Sequence, residues 1–123
     1  MPYVCTIEGC IVHAAWRGTI VPEDLEAFGA DMPRIGRRLG FAPDVLHTFE
    51  AVTGLGFEPA AAYQYSLKQK QVEIPNPIRV AMATTTKENE YLATVFKMLN
   101  RATNLEMEVF PSEAVARRWL ARE

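Results

Sequence analysis

The segment Ile78–Thr85 (Ile-Arg-Val-Ala-Met-Ala-Thr-Thr) constrains the fold most, because it is the most nearly continuous apolar run of strand type in the chain. A strand with one face in water alternates apolar and polar residues, whereas a strand covered on both faces is apolar almost throughout. Helices on both faces of a mostly parallel sheet provide that cover. The segment therefore predicts an α/β fold with this strand near the centre of the sheet.

Shorter strand and helix patterns alternate on either side of this segment. The other predicted strands are Tyr3–Glu8, Cys10–Arg17, Asp44–Phe49 and Leu105–Phe110, and the predicted helices are 22–39, 59–72, 88–101 and a last one after Ser112. The order β-β-α-β-α-β-α-β-α predicts a single, mostly parallel sheet of about five strands, packed with four helices and joined by right-handed crossovers. The length of 123 residues fits one domain, and we expect residues 1–123 to form it.

The first two strands are predicted to form an N-terminal hairpin around the two-residue turn Glu8-Gly9. A turn of that length places Cys5 opposite Val12 and Ile7 opposite Cys10. All four residues then share one apolar face. Both thiols are therefore predicted to be small core residues rather than redox groups.

The first helix is predicted from an apolar stripe at spacings of three and four residues, made by Leu25, Phe28, Met32, Ile35 and Leu39. Pro22 suits its first turn and Gly40 its end, while Pro33 is expected to kink or split it. The arginines near its end, Arg34, Arg37 and Arg38, suit the negative end of the helix dipole. A patch for an anion or an acidic partner is the alternative interpretation.

The charge and hydropathy of the chain argue against several classes of partner. A formal net charge of -2 gives no field that favours nucleic acid or an anionic membrane surface. No apolar run approaches the roughly 20 residues of a membrane-spanning helix, and the start lacks the pattern of a signal peptide. We therefore expect a cytoplasmic protein with no integral membrane segment and no nucleic-acid partner.

The chain has only two histidines, His13 and His47, so a three-histidine zinc site is impossible. No Cys-x-x-Cys or His-Glu-x-x-His spacing occurs, and we expect neither a metal nor a cofactor. His13 is predicted to be a partly buried, hydrogen-bonded structural residue. A general-base role for His47 would need a carboxylate or nucleophile within hydrogen-bond reach. No Gly-x-Ser-x-Gly elbow is present, and an enzyme is the least favoured class.

Several segments, taken in order, resemble a known family. They are Trp16–Ile20 with Pro22–Leu25, the strand Arg79–Met82, and Val109–Ala114 with Trp119-Leu120. Their order and spacing are similar to those of STAS domains, especially the bacterial anti-sigma-factor antagonists of sporulation. The resemblance covers nearly the whole chain. It implies a superhelix of β-α units and a regulatory, protein-binding role.

In those antagonists, the loop after the third strand carries an Asp-Ser-Ser-Gly-Leu-Gly type of segment, in which a partner kinase phosphorylates a serine. This chain has Ala51–Gly56 (Ala-Val-Thr-Gly-Leu-Gly) in that place, with Thr53 at the position of the phosphoacceptor. Ala51 and Val52 replace the acidic residue and the first serine. Thr53 is thus either a regulatory hydroxyl or a turn-forming residue, and the glycines either expose backbone N–H groups to a ligand or only provide the turn.

Two functional hypotheses follow. The first is a non-enzymatic protein-binding module that acts through this predicted loop and the adjoining helix 59–72; the candidate residues are Thr53, Gly54, Leu55, Gly56, Phe57 and Tyr63. The second is a carrier or sensor of a small apolar ligand or lipid, in a pocket lined by Phe57, Tyr63 and Tyr65 under that helix. Ordinary packing of these rings is the alternative. A homodimer through an edge strand or the helix 59–72 is also compatible with the sequence.

Overall fold

The computed structural model of the protein describes residues 3–56, 72–99 and 102–122. Within these residues the strands are β1 (Tyr3–Glu8), β2 (Ile11–Ile20), β3 (Asp44–Leu55), β4 (Val72–Ala83) and β5 (Ala102–Phe110). The helices are α1 (Pro22–Leu39), α2 (Lys87–Leu99) and α3 (Glu113–Leu120). The α/β class is confirmed. The predicted helix 59–72 lies outside the described residues except for Val72, which begins β4.

The five strands form one sheet in the order β1-β2-β3-β4-β5. β1 is antiparallel to β2, and every other neighbouring pair is parallel. The predicted mostly parallel sheet with an N-terminal hairpin is therefore confirmed. Both outer strands, β1 and β5, are paired along one edge only within the sheet.

The two faces of the sheet carry separate apolar clusters. The cluster on the aromatic face consists of Tyr3, Ala14, Trp16, Ile20, Phe49, Met82 and Ala93. The cluster on the opposite face, called the α3 face here, consists of Leu46, Ala81, Ala83, Ala116 and Leu120. β4 contributes Met82 to the first cluster and Ala81 to the second, so the prediction that this strand is covered on both faces is confirmed.

The hairpin forms, but its register differs from the predicted one. Cys5 pairs with Ala14 and Ile7 with Val12, because β1 continues through Glu8 and the turn falls at Gly9-Cys10. Gly9 has a φ of 62°, a conformation that glycine adopts without a steric penalty. A shift of two residues preserves the face on which each side chain lies. Cys5 is accordingly half-buried, but the prediction of a core position for Cys10 was wrong, because the turn exposes it.

The helix ends follow local sequence signals. The Val21 N–H donates to Asp24 Oδ2 at 2.9 Å at the start of α1, and Gly40 ends this helix with a φ of 75°. Pro33 lies inside α1, which continues through it to Leu39, so the helix is not split there. The predicted cap of α3 is confirmed, since Ser112 Oγ accepts from the Val115 N–H at 3.2 Å.

β4 and β5 both begin before their predicted first residues. β4 starts at Val72 rather than Ile78, and β5 starts at Ala102 rather than Leu105. Because Glu73 pairs with Thr103 and Ile78 pairs with Leu105, the four residues 74–77 lie opposite the single residue 104. Such a bulge accommodates prolines, which have no N–H for a strand ladder. No helix in the described part of the chain is long and apolar enough to cross a membrane.

Candidate functional site

The segment predicted as the functional loop is mostly strand, because β3 extends to Leu55. β2 runs equally far, to Ile20, and offers backbone partners: Gly18 pairs with Val52, Thr19 with Gly54 and Ile20 with Leu55. Thr53 falls between two of these pairs and is the additional residue of a β-bulge, which bends the strand locally. It is exposed. The prediction of a loop here was wrong, but the bulge presents the Thr53 side chain at the surface.

The two glycines of this segment have different roles. The Gly56 N–H donates to the Ile20 carbonyl at 2.7 Å, and a Cβ on Gly56 would lie 2.6 Å from Val21 Cγ1. A Cβ on Gly54 would meet no atom within 4 Å. Neither glycine has a positive φ. Gly56 therefore permits β3 to approach the start of α1, whereas Gly54 occupies open space. Phe57 and Tyr63, the remaining candidate residues, lie outside the described residues, as does the predicted ligand pocket.

A second irregularity in β3 is bridged by α2. Ala15 pairs with Thr48 and Arg17 with Ala51, so β3 has one more residue than β2 in this interval. The Phe49 carbonyl in this interval accepts from Asn89 Nδ2 at 3.0 Å. Asn89 is a buried residue of α2. The side-chain amide thus satisfies a buried backbone carbonyl and connects α2 to the strand that leads to Thr53.

His47 lies on the same strand, buried on the aromatic face. Its ring centroid is 5.0 Å from that of Phe28 and 6.1 Å from that of Trp16. Trp16 Nε1 donates to His47 Nδ1 at 2.9 Å. Because Nδ1 is the acceptor, the neutral ring carries its proton on Nε2.

Burial lowers the pKa of His47 to about 3, with a smaller contribution from the nearby His13. A base with that pKa binds almost no protons at neutral pH. Its Nδ1 lone pair is also already occupied by the Trp16 N–H. The arrangement makes His47 a neutral structural acceptor rather than a general base. The Trp16–His47 pair was not predicted from the sequence, since it depends on the register of β2 against β3.

A second polar group connects the edge strand to α1. The Tyr3 hydroxyl donates to Asp31 Oδ2, and Arg34 donates to Asp31 Oδ1. Burial, followed by the bond to Asp31, raises the pKa of Tyr3. Burial and the charge of Asp31 also raise the pKa of Cys5, which favours the unreactive thiol. Arg34 is therefore ion-paired with Asp31 of its own helix. This pairing weakens the alternative interpretation of Arg34, Arg37 and Arg38 as a patch for an anion or an acidic partner.

His13 belongs to a chain of polar side chains that runs from β2 to α3. His13 Nε2 lies 2.9 Å from Thr48 Oγ1, and His13 Nδ1 lies 3.5 Å from Glu8 Oε2. Arg117 Nη2 donates to the same Glu8 carboxylate at 3.1 Å, and Arg117 Nε donates to Glu113 at 2.8 Å. The prediction of a partly buried, hydrogen-bonded His13 is confirmed. These polar contacts connect the hairpin to α3 on the α3 face.

A groove of about 430 Å³ lies beside the middle of β4 and β5, close to the C-terminal end of α3. Its lining residues are Pro77, Ile78, Arg79, Leu105, Glu106 and Arg122. The sequence did not predict this groove, because Arg122 is more than forty positions from Arg79 along the chain. Elsewhere, residues 3–56, 72–99 and 102–122 contain no group of three or more histidine, cysteine, aspartate or glutamate side chains placed to hold a metal ion.

Comparisons of the chain with protein-family models, with curated proteins and with solved structures find no match. The functional argument therefore depends on the geometry of the chain itself. The geometry offers two regions: the bulge at Thr53, near the ends of β2 and β3, and the groove beside the middle of β4 and β5, which adjoins Asp44 at the start of β3.

Proposed function

We propose that the protein is a non-enzymatic regulatory module of STAS type, which binds a protein partner through the surface around Thr53. The observation that carries this proposal is the exposed position of Thr53 on the β-bulge between Val52 and Gly54. β-Bulges re-aim side chains and are enriched next to functional sites. The resemblance of this segment to the phosphoacceptor segment of anti-sigma-factor antagonists supports the same region.

The surroundings of Thr53 suit a surface contact that can be switched. A phosphate on Thr53 would add a charge of about -1.5 to -2 at neutral pH. Because the side chain is exposed, the phosphate would remain in water, and the β2–β3 pairing would not have to open. In a protein interface, the same charge would be desolvated or placed against the partner's surface, which weakens the complex. Phosphorylation would then control binding without unfolding the module.

The partner surface is tested by site-specific crosslinking in cells that naturally express the protein. A photo-crosslinking phenylalanine analogue replaces Thr53 in one variant and Thr94 in a control variant. Thr94 is an exposed threonine of α2, a different part of the molecule. We expect a specific protein to be captured from position 53 and not from position 94. Equal capture from both positions, or none from position 53, would contradict the proposed surface.

The captured protein then allows a quantitative test with purified components. Thr53→Glu should weaken its binding by about tenfold or more, whereas Thr53→Ala and Thr94→Glu should change it little. The switch itself is tested with protein carrying phosphothreonine at position 53. Unchanged affinity of the phosphorylated protein would refute the switch, even if the crosslinks confirm the surface.

A further inference from the structure

The outer edge of β1 is an open strand edge. β1 pairs with β2 along one side, and no strand of the described residues lies along the other. Thr6 and Glu8 are exposed, and the apolar residues Val4 and Ile7 are 46% and 47% exposed. An open edge carries backbone N–H and C=O groups that can pair with a further strand. The edge of β1 is therefore accessible to such a strand.

The turn of the hairpin determines which backbone groups of β1 face outwards. Gly9, with a φ of 62°, and Cys10 are the two central residues of this turn. In such a turn the carbonyl of the first residue accepts from the N–H of the fourth, so Glu8 and Ile11 form a hydrogen-bonded pair. Hydrogen-bonded and non-hydrogen-bonded pairs alternate along antiparallel strands. Every second residue of β1 therefore directs its N–H and C=O away from β2. These residues are Tyr3, Cys5 and Ile7.

β1 lacks the features by which proteins usually block an open edge, which are lysines, prolines, bulges and inward-pointing charges. Its six residues include no lysine or proline, its pairing with β2 has no register shift, and its only charged residue is Glu8, the last one. β5, the other outer strand, carries two exposed carboxylates, Glu106 and Glu108. Self-association of β5 would bring four carboxylates close together. The composition of the two strands therefore favours β1 as the edge that self-associates.

We propose that β1 pairs antiparallel with β1 of a second copy of this chain, which joins the two five-stranded sheets into one. The two-fold axis passes beside Cys5. Tyr3 of each copy then lies opposite Ile7 of the other, and all the outward-facing backbone groups of these three residues are hydrogen-bonded. This pairing is closed, whereas head-to-tail pairing of β1 with β5 leaves one β1 edge open in every assembly that does not form a ring.

The side chains on both faces of the sheet suit this register. On the aromatic face, the exposed Ile7 lies beside Tyr3 of the second copy, which belongs to the aromatic-face cluster. On the α3 face, the exposed Val4 lies opposite Thr6 of the second copy. Cross-strand pairs of aromatic and β-branched residues stabilise antiparallel sheets. The dimer thus covers both of the exposed apolar side chains of β1.

The charges near the edge do not oppose the pairing. The two Glu8 residues lie on opposite sides of the axis, roughly 20 Å apart along the strands, which exceeds the screening length of about 8 Å at physiological ionic strength. Each Glu8 is also 3.1 Å from Arg117 of its own copy. The dimer is independent of the proposed partner surface, because Thr53 lies on β3, which is separated from β1 by β2.

Sedimentation equilibrium of the full chain measures the association. Because short paired strands bury less than the roughly 1,200–2,000 Å² of a stable interface, we expect a Kd on the order of 10–100 µM. Thr6→Lys places two like charges diagonally across the axis and should weaken the dimer by about tenfold. Thr94→Lys, the same change at an exposed position of α2, should have no effect. A chain that stays monomeric at about 1 mM, or a dimer that Thr6→Lys leaves unchanged, would refute the proposal.

Amide hydrogen exchange, followed by NMR, tests the strand pairing without any substitution. The amides of Cys5 and Ile7 should exchange several-fold more slowly at about 1 mM than at about 10 µM protein, because they bond only in the dimer. The Thr6 amide faces β2 and should exchange at the same rate at both concentrations. If the protein dimerises while the Cys5 and Ile7 amides exchange equally fast at both concentrations, the dimer uses another surface and the proposal is wrong.

The register is tested in a mixture of isotope-labelled and unlabelled protein. Val4 of one copy and Thr6 of the other form a non-hydrogen-bonded pair, whose Cα atoms lie only about 4.5 Å apart. We therefore expect a nuclear Overhauser effect between their α-protons that arises only between copies. Protected Cys5 and Ile7 amides without this contact would contradict the register centred on Cys5.

Discussion

At His47, a titratable ring is enclosed by aromatic side chains and receives a hydrogen bond from the Trp16 indole. Only the neutral ring can accept that bond through Nδ1, because both nitrogens of the charged ring are donors. Protonation would therefore break the bond and leave a positive charge in an apolar core. The pair links β2 and β3 only as long as His47 stays neutral.

This pair predicts a specific loss of stability in acid. The pKa of His47 is about 3 in the folded protein and near 6.5 in the unfolded chain. Below pH 6.5 the unfolded chain binds a proton that the folded protein does not, so stability falls as the pH falls from 6.5 towards 3. The loss should reach about 2 kcal/mol by pH 5 relative to pH 7.5. Urea unfolding followed by circular dichroism at both pH values measures it.

The control replaces each histidine by a residue that does not titrate. His47→Gln should abolish about 2 kcal/mol of the difference between pH 7.5 and pH 5, whereas His13→Gln should retain that part. Carboxylates that titrate in the same range affect all three proteins equally, so the comparison isolates His47. An undiminished pH dependence in His47→Gln would show that the acid sensitivity has another origin.

Gly54 and Gly56 show how two similar residues in a sequence can differ in structure. Gly56→Ala should destabilise the protein by about 1–3 kcal/mol, because the new Cβ would lie 2.6 Å from Val21 Cγ1, on a stiff β-branched side chain. Gly54→Ala, at an open position without a positive φ, should change the stability by less than about 0.5 kcal/mol. Chemical denaturation of the two variants checks the difference. Equal effects would contradict the close approach of β3 to Val21.

The sequence could not distinguish these two glycines, because the distinction comes from a neighbour thirty-five positions away. The Gly-Leu-Gly spacing favoured a turn, but β2 extends to Ile20 and supplies strand partners as far as Leu55. Local sequence patterns indicate only the conformation that a segment favours on its own. The length of β3 was decided by its neighbour in the sheet, and so was the bulge that presents Thr53.

At the scale of elements, periodicity predicted most of the architecture. The alternation in β1 and β2 correctly placed Cys5 towards the core, although the register was shifted by two residues. Two residues of the predicted apolar face are exposed: Cys10, which lies in the turn, and Ile7, which is 47% exposed. Sequence signals at helix ends were also reliable, as the Ser112 cap of α3 shows. In contrast, Pro33 did not split α1. The residues around Pro33 did not indicate that the helix would continue through it.

The contact between the hairpin and α3 gives a prediction at the same scale. Arg117 donates to Glu8 at 3.1 Å, but their side chains are 34% and 38% exposed, so solvent screens the pair strongly. A double-mutant cycle with Glu8→Gln and Arg117→Gln should give a coupling of only about 0.5 kcal/mol, which decreases in 1 M salt. A cycle on Glu113 and Arg117 provides the comparison within α3. A salt-independent Glu8–Arg117 coupling would contradict a screened surface pair.

For the whole molecule, the fold class was more predictable than the functional regions. The apolar strand Ile78–Thr85 indicated a sheet covered on both faces, and Met82 and Ala81 do enter opposite clusters. The groove joins Arg79 to Arg122, and no local pattern connects those two positions. Buried residues recur at regular spacings along the sequence, so their pattern can be recognised there. A site formed by distant residues depends on strand order and on the path of the chain after α3.

The two clusters on opposite faces of one sheet lead to a final prediction about cooperativity. Trp16 lies in the aromatic-face cluster and Trp119 packs against the α3-face cluster, so each indole reports on one face. Because β3 and β4 contribute side chains to both clusters, neither cluster can be lost without disrupting strands that the other needs. The indole N–H resonances of Trp16 and Trp119 should therefore disappear with the same midpoint in one urea titration. Loss of the Trp119 resonance at clearly lower urea would show that α3 detaches first and that residues 1–123 do not unfold as a single domain.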